Sequence, residues 1–268
     1  MVSRSSIRKC RRFCKNRRNG GAGSTGKTGP SPPFRAKEAD GRGIPAREHF
    51  PGRRVLSDRN PTNTGRTDTV VLLHGLGGKD WNLRYLGWRF DRAGLAVRYH
   101  HYPSRTGNLE EIARGLAETM TCTEGRKVHL LGHSLGGIVI AKMLETTPPT
   151  NVGKVAFLGC PIGGSAAITA LSGNRFGRRL LGPVAWEGVV ERRPRAPVDR
   201  ELLVVAGTLP LGIGLLIGLP RPHDGWIQVS ETRIDGARLL TSGTFHFGLL
   251  FSPTVADLLC AFFSGKIY

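Results

Sequence analysis

Cysteine is sparse in this chain of 268 residues. The five cysteines, Cys10, Cys14, Cys122, Cys160 and Cys260, are odd in number and follow no framework spacing. A disulfide-stapled fold is therefore excluded, and Cys10 and Cys14 lack the second ligand pair of a zinc module. Free thiols in a reducing compartment are the simplest reading, and a cytoplasmic location is expected. No apolar stretch of signal-peptide type follows the Arg-rich N-terminal residues, so secretion is not expected either. The most apolar segment, Leu209 to Leu219, is interrupted by Pro210, Gly212, Gly214 and Gly218, which argues against a membrane span even when the preceding strand is added. Acidic residues are also scarce, with 20 Asp and Glu against 39 Lys and Arg and a net charge of +19.

That charge is unevenly placed. Residues 1–66 carry 17 Lys and Arg against 4 Asp and Glu. They are rich in Gly, Pro, Ser and Asn and lack apolar periodicity, so a disordered basic tail is expected. The tail contains Gly21-Ala22-Gly23-Ser24-Thr25-Gly26-Lys27-Thr28, which matches a phosphate-binding G-x-x-x-x-G-K-[ST] pattern. That mechanism needs a strand before the loop and a helix after it. Arg17-Arg18-Asn19-Gly20 and Gly29-Pro30-Ser31-Pro32-Pro33 provide neither. A polybasic arm suits weak contact with an anionic membrane surface. Without interleaved aromatics it offers no pattern for specific nucleic-acid binding. Residues 67–268 suit one domain with one core.

Within that domain, short apolar runs alternate with helical periodicity. Thr69–Leu73, Leu95–Tyr99, Lys154–Leu158, Glu201–Gly207 and Arg238–Leu240 read as strands. Leu109, Ile112, Ala113, Leu116 and Met120 fall on one helical face, and Asp80 to Ala93 and Pro253 to Phe263 read as further helices. This predicts an α/β fold with a mostly parallel central sheet flanked by helices.

The most informative segment is Val128-His129-Leu130-Leu131-Gly132-His133-Ser134-Leu135-Gly136-Gly137. An apolar strand runs into Gly-x-Ser-x-Gly, and Ile138 to Leu144 continue as a buried helix. A strand, a tight turn and a helix lift the serine hydroxyl above a sheet. Gly132 and Gly136 let the two elements pass closely. Ser134 therefore reads as a nucleophile. A hydroxyl needs a base, and the base needs an orienting carboxylate. Asp224 and His246 follow Ser134 in the order Ser, Asp, His, each after a late strand. Asp199, ahead of the Leu202 strand, and Asp235, in a turn with Gly236, are the competing carboxylates; His223 is too close to Asp224 in sequence to serve it. Upstream, the Thr69–Leu73 strand ends in His74-Gly75-Leu76-Gly77-Gly78. A loop of this kind supplies one oxyanion N–H and the residue after the nucleophile supplies the other. The expected donors are Leu76 and Leu135, with His74 pinning the loop.

From Thr69 to Tyr268, these ordered pieces resemble the α/β-hydrolase superfamily and, within it, lipase- and esterase-like members. The resemblance implies the α/β-hydrolase fold, with a small cap-like insertion at about residues 161–200. It implies a serine hydrolase that cleaves carboxylic esters through an acyl-enzyme on Ser134. Acyl transfer, thioester or amide cleavage on the same triad are alternatives, as is a non-catalytic binding protein of the same fold. The expected substrate is a small ester with an apolar acyl group, and the Leu209–Leu219 run is expected as a hydrophobic wall beside that group or as an interface patch. No cofactor is expected. No metal is expected either, since His100-His101 have no carboxylate or Cys at ligand spacing. A chain beginning near Arg66 should hydrolyse a soluble short-chain ester within about twofold of the full-length rate, because no catalytic charge or backbone donor is removed. A loss of about tenfold in kcat/KM would place part of the active site in the tail.

Overall fold

The computed structural model describes residues 68–121, 127–191, 193–195 and 199–266. The basic tail, the Gly21–Thr28 pattern, Cys10, Cys14 and Cys122 lie outside the described residues.

Six parallel strands form one sheet: β1 (Thr69–Leu73), β2 (Ala96–Tyr99), β3 (Val128–His133), β4 (Val152–Leu158), β5 (Leu202–Gly207) and β6 (Arg238–Ser242), in the spatial order β2-β1-β3-β4-β5-β6. Between them lie α1 (Arg84–Arg92), α2 (Leu109–Thr121), α3 (Leu135–Thr146), α4 (Ala166–Leu171), α5 (Arg175–Trp186), α6 (Ile213–Leu216) and α7 (Pro253–Phe263). A 3-10 turn over Asp80–Leu83 leads into α1. The expected parallel α/β fold is therefore the observed one.

The side-chain alternation of each strand divides the core. Val71 and Leu73 of β1, Leu130 of β3, Phe157 of β4 and Val204 of β5 face α2 and α3. Val70, Leu72, Leu131, Ala156, Leu158 and Leu203 face the opposite way, toward α1 and α7. Because helices cover both faces, the inner strands read as unbroken apolar runs rather than alternating ones. Phe90 of α1 meets Phe263 of α7 edge to face at 5.5 Å between centroids, tying the two helices on that face together. Ser252 caps α7, accepting from the Val255 N–H at 3.4 Å, and Pro253 occupies its first position, where a missing N–H costs nothing.

Between β4 and β5 the chain makes more structure than a crossover requires. Helix α4 starts at Ser165, whose Oγ accepts from the Ile168 N–H at 3.2 Å. Helix α5 is capped by Asn174, breaks at Gly182, where φ is 77°, and continues through Pro183 into a π-turn over Glu187–Glu191. The Arg105 guanidinium donates twice to the Leu180 carbonyl, at 3.2 and 2.8 Å, fastening this insertion to the loop after β2. The segment 209–219 is not the hydrophobic wall, the first of the two readings expected for it. It forms only the single turn α6, with Leu211, Leu215 and Leu216 exposed to solvent, and it lines no part of the cavity described below. The positive φ of Gly212 and Gly218 interrupts any longer helix. Among the described residues no helix is long and apolar enough to cross a membrane.

Phe157 is fully buried on the α2–α3 face. Phe157→Ala should cost about 3–5 kcal/mol, through lost transfer energy plus the cavity left behind. Urea unfolding measures this, and a loss below about 1 kcal/mol would mean that this face is not packed.

Candidate active site

The carboxyl end of β3 carries the site. His133 closes the strand and Leu135 opens α3, so Ser134 alone makes the turn, with φ 53° and ψ −121°. Among the described residues it is the one non-glycine with positive φ. Such backbone costs on the order of 1–3 kcal/mol and persists only where its surroundings enforce it. The enforcement is visible. A Cβ on Gly132 would lie 2.5 Å from the Gly137 nitrogen, and one on Gly136 would lie 2.5 Å from the Leu73 carbonyl oxygen. The Ser134 N–H donates to the Leu158 carbonyl at 2.9 Å, and its own carbonyl accepts from Gly137 at 3.0 Å. Cys160 packs beneath. Its thiol donates to the Gly132 carbonyl at 3.1 Å, and burial pushes its pKa well above the ordinary thiol range.

Asp224 and His246 are brought together from the loops after β5 and β6. His246 Nδ1 lies 2.7 Å from Asp224 Oδ2, and the His246 N–H donates to the Asp224 carbonyl at 2.9 Å. The other carboxylate oxygen, Oδ1, accepts from the Trp226 N–H at 2.9 Å and the Ile227 N–H at 2.8 Å. Burial alone penalises the Asp224 charge. The adjacent His246, its hydrogen bond and the two backbone donors outweigh that penalty and hold the carboxyl below the usual range. An ionised carboxylate only accepts, so Nδ1 of His246 is the donor in this contact. The rival acids stand apart: Asp199 is exposed and paired with Arg200 at 2.8 Å, and Asp235 is exposed in its turn. His223 is buried and structural, accepting from the Gly225 N–H at 3.1 Å.

Ser134 and His246 line one cavity of about 100 Å³. Gly75, Leu76 and Gly78 form one side, and Leu135, Trp226, Ile227 and Phe247 form another. Gly75 abuts Ser134, since a Cβ placed there would lie 3.0 Å from the serine Cβ. The Gly77 N–H donates to Ser104 Oγ at 3.0 Å, which fixes the loop around Leu76. Leu135 is the first residue of α3, where N–H groups have no carbonyl a turn earlier to bond. The insertion supplies the roof through Ile168, Leu181, Ala185 and Val189, so it lies over the site as a cap. These residues, rather than Leu209–Leu219, make the apolar wall. A larger cleft, about 430 Å³, sits at the opposite ends of the strands and is lined by Asp68, Lys127, His129 and Glu201. It lies away from the carboxyl ends of the strands, where parallel sheets bind ligands.

His74 lies at the start of the loop. Its Nδ1 donates to the Gly75 carbonyl at 2.9 Å, and its ring stacks on Tyr102 at 4.5 Å. Burial is the main cause of its lowered pKa. Sequence reasoning passed over His133, the variable residue of the serine motif. It is buried, its ring lies 4.8 Å from that of His246, and its Nε2 lies 3.3 Å from the His246 carbonyl. Burial pushes its pKa down to about 3. Among the described residues, His74, Asp80 and His101 bring three potential ligand atoms within 4.8 Å of one another, a grouping that linear spacing hid.

The chain matches the family described as "Alpha/beta hydrolase family" over residues 70–261. Over 128 residues it is 33% identical to "Lecithin-cholesterol acyltransferase-like 1" of Arabidopsis thaliana, covering 44% of this chain and 28% of that protein. Over 121 residues it is 31% identical to a probable esterase of Oryza sativa subsp. indica, covering 41% and 45%. The chain thus spans less than half the length of these curated relatives. Among solved structures, the mature Bacillus licheniformis lipase BlEst2 superposes with a TM-score of 0.61 at 18% identity, over 78% of this chain and 95% of that one. A metagenomic carboxyl esterase superposes with a TM-score of 0.56 at 15% identity, over 80% and 82%.

His133 yields a stability prediction. Its folded pKa of about 3 lies below the ordinary value of 6.5. The unfolded chain therefore binds a proton that the folded chain refuses, and stability is full above pH 6.5 and falls as pH drops toward 3. His133→Gln should reduce that fall by up to about 1.4 kcal/mol per pH unit across this window. Urea midpoints taken at intervals from pH 7 to 4 decide it. An unchanged slope in the variant would mean that His133 is solvated and titrates normally.

Proposed function

Because the chain belongs to the α/β-hydrolase family, with a match running through nearly all of its described residues, we propose that it is a serine hydrolase of carboxylic esters. The observation that carries this reading is the buried 2.7 Å contact between His246 Nδ1 and an Asp224 carboxylate held by two backbone donors, in a cavity shared with Ser134. That contact leaves Nε2 of His246 as a base, and it serves no evident packing purpose that an apolar pair would not serve better.

The chemistry follows from the parts. His246 Nε2 takes the proton of Ser134 as Oγ bonds to the ester carbonyl carbon. The carbonyl π electrons move onto oxygen, and the Leu76 and Leu135 N–H groups stabilise the oxyanion in a site poor in water. Asp224 steadies the imidazolium without taking its proton. Collapse of the intermediate breaks the ester C–O bond, and His246 returns the proton to the departing alkoxide. Water activated by His246 then releases the acid and restores Ser134. The elbow geometry contributes before any of this begins. Strain stored at Ser134 is already part of the folded state, so the hydroxyl is aimed before substrate arrives.

The apolar lining selects an uncharged acyl group. Its enclosed volume of about 100 Å³ is small beside the roughly 300–1,000 Å³ of drug-sized ligand sites, so short acyl chains should be preferred. A second reading, acyl transfer to an alcohol, is favoured by the similarity to a plant acyltransferase-like protein. The apolar roof works in its favour by limiting competing water. Adding an alcohol acceptor and measuring ester against free acid separates the two.

A fluorophosphonate probe should label Ser134 and no other serine. Ser134→Ala should abolish labelling and lower kcat by roughly 10⁴–10⁶-fold. Asp224→Asn should retain the fold and lose about 10³–10⁴-fold, because the imidazole loses its orienting carboxylate. Asp199→Asn and Asp235→Asn should stay within about tenfold, by the same reasoning. Label on another serine, or a crippled Asp199 or Asp235 variant, would overturn the assignment.

A further inference from the structure

We propose that His74, Asp80 and His101 form a binding site for one divalent transition-metal ion of the zinc class, which clamps the two ends of the loop carrying Leu76. The register of the sheet creates it. Leu72 of β1 pairs with Tyr99 of β2, and the His100 N–H donates to the Leu72 carbonyl at 3.0 Å. Two residues further along both strands, His74 and His101 are neighbours, with ring centroids 5.5 Å apart. The loop then turns back, the Gly78 N–H donating to the Gly75 carbonyl at 3.1 Å, and delivers Asp80 to the same place. Asp80 Oδ1 lies 3.7 Å from His101 Nδ1, too far for a hydrogen bond.

Two observations point to a ligand. His74 is almost wholly buried, and neither its Nε2 nor Asp80 Oδ1 has a hydrogen-bond partner. Buried polar atoms are seldom left so. Further, His74 is prepared as a ligand. Its Nδ1 must be the donor to the Gly75 carbonyl at 2.9 Å, which leaves the lone pair on Nε2. Metal-bound histidines typically have their second nitrogen held in this way. Tyr102 braces the residue, stacking on the ring and donating its hydroxyl to the His74 carbonyl at 2.6 Å.

Two imidazole nitrogens and one carboxylate oxygen suit zinc, nickel or cobalt better than magnesium or calcium, which take oxygen ligands. Three protein ligands leave a fourth position for water. Bonds of about 2.0–2.2 Å require the ligand atoms to draw in from their 4.8 Å spread. The half-exposed Asp80 and exposed His101 side chains are free to do so, while His74 stays fixed. Binding would join the residues on either side of Gly75–Lys79, the segment that places the Leu76 N–H. This inference does not depend on the ester reading, and it is read out by binding and stability rather than turnover.

The test is calorimetric titration of zinc chloride into the full-length chain carrying Cys10→Ser and Cys14→Ser, which silences the tail thiols. One equivalent should bind, and the thermal midpoint should rise with zinc concentration. His101→Ala and Asp80→Asn should each weaken binding by at least about tenfold and remove the thermal shift. His100→Ala should keep the affinity within about twofold, since it contributes no ligand. His101 is exposed, so His101→Ala without zinc should melt like the parent, and Asp80→Asn gives an independent second reading. Cobalt substitution should show ligand-field bands without thiolate charge transfer. Absence of saturable one-to-one binding, or affinity retained in both variants, would overturn the site.

Discussion

The passage of β3 into α3 through a single residue is the constraint on which the rest depends. Strand and helix approach so closely that the backbone of Gly137 and the carbonyl of Leu73 occupy the space a side chain at Gly132 or Gly136 would need. This proximity forces Ser134 into its strained conformation. It aligns the start of α3 with Ser134 and seats the β1 loop against it through Gly75. The first turns of α3, buried from Leu135 to Leu144, supply the packing that holds the strain in place. The glycines that look like losses of core are what permit the turn at Ser134.

A second balance operates at Asp224. Burying a carboxylate is unfavourable by itself, and only an imidazole and two amide donors reverse the sign. The Asp-Gly sequence provides those donors locally, since the turn folds the Trp226 and Ile227 N–H groups back onto the side chain. The acid is therefore held by its own loop before His246 arrives. Its ring needs only to be delivered from the end of β6. At His133, beneath that ring, the balance falls the other way: burial outweighs the His246 carbonyl and the more distant Asp224 charge, so its pKa is pushed down.

Legibility in the sequence followed how local each feature is. The elbow could be read from ten consecutive residues, because strand, turn and helix are all encoded there. The sheet could be read because doubly covered strands are continuous apolar runs. The Ser, Asp, His order selected Asp224 and His246 across more than a hundred residues. The cap was legible only as surplus length between Cys160 and Leu202. Which of its side chains turn inward, Ile168 and Leu181 rather than Phe176 and Leu180, depends on how α4 and α5 pack, which no local pattern reports. The Leu209–Leu219 run left two readings open, a wall or an interface patch, because hydrophobicity alone does not say which neighbour covers it; the run lines no part of the cavity and exposes its leucines. The meeting of His74, Asp80 and His101 was illegible for a further reason. It rests on the pairing register of β1 with β2, and no periodicity within either strand reports that register.

Cys160 sits at the foot of this arrangement, with its sulfur where any side chain on Gly137 would have to go. Its thiol is solvent-free, engaged with the Gly132 carbonyl, and resistant to ionisation. Only a thiolate reacts quickly with alkylating agents. In the closed fold this cysteine is therefore chemically silent, and each modification event must wait for β3, α3 and the segment after β4 to part. The rate of its alkylation is a clock for local opening around Ser134.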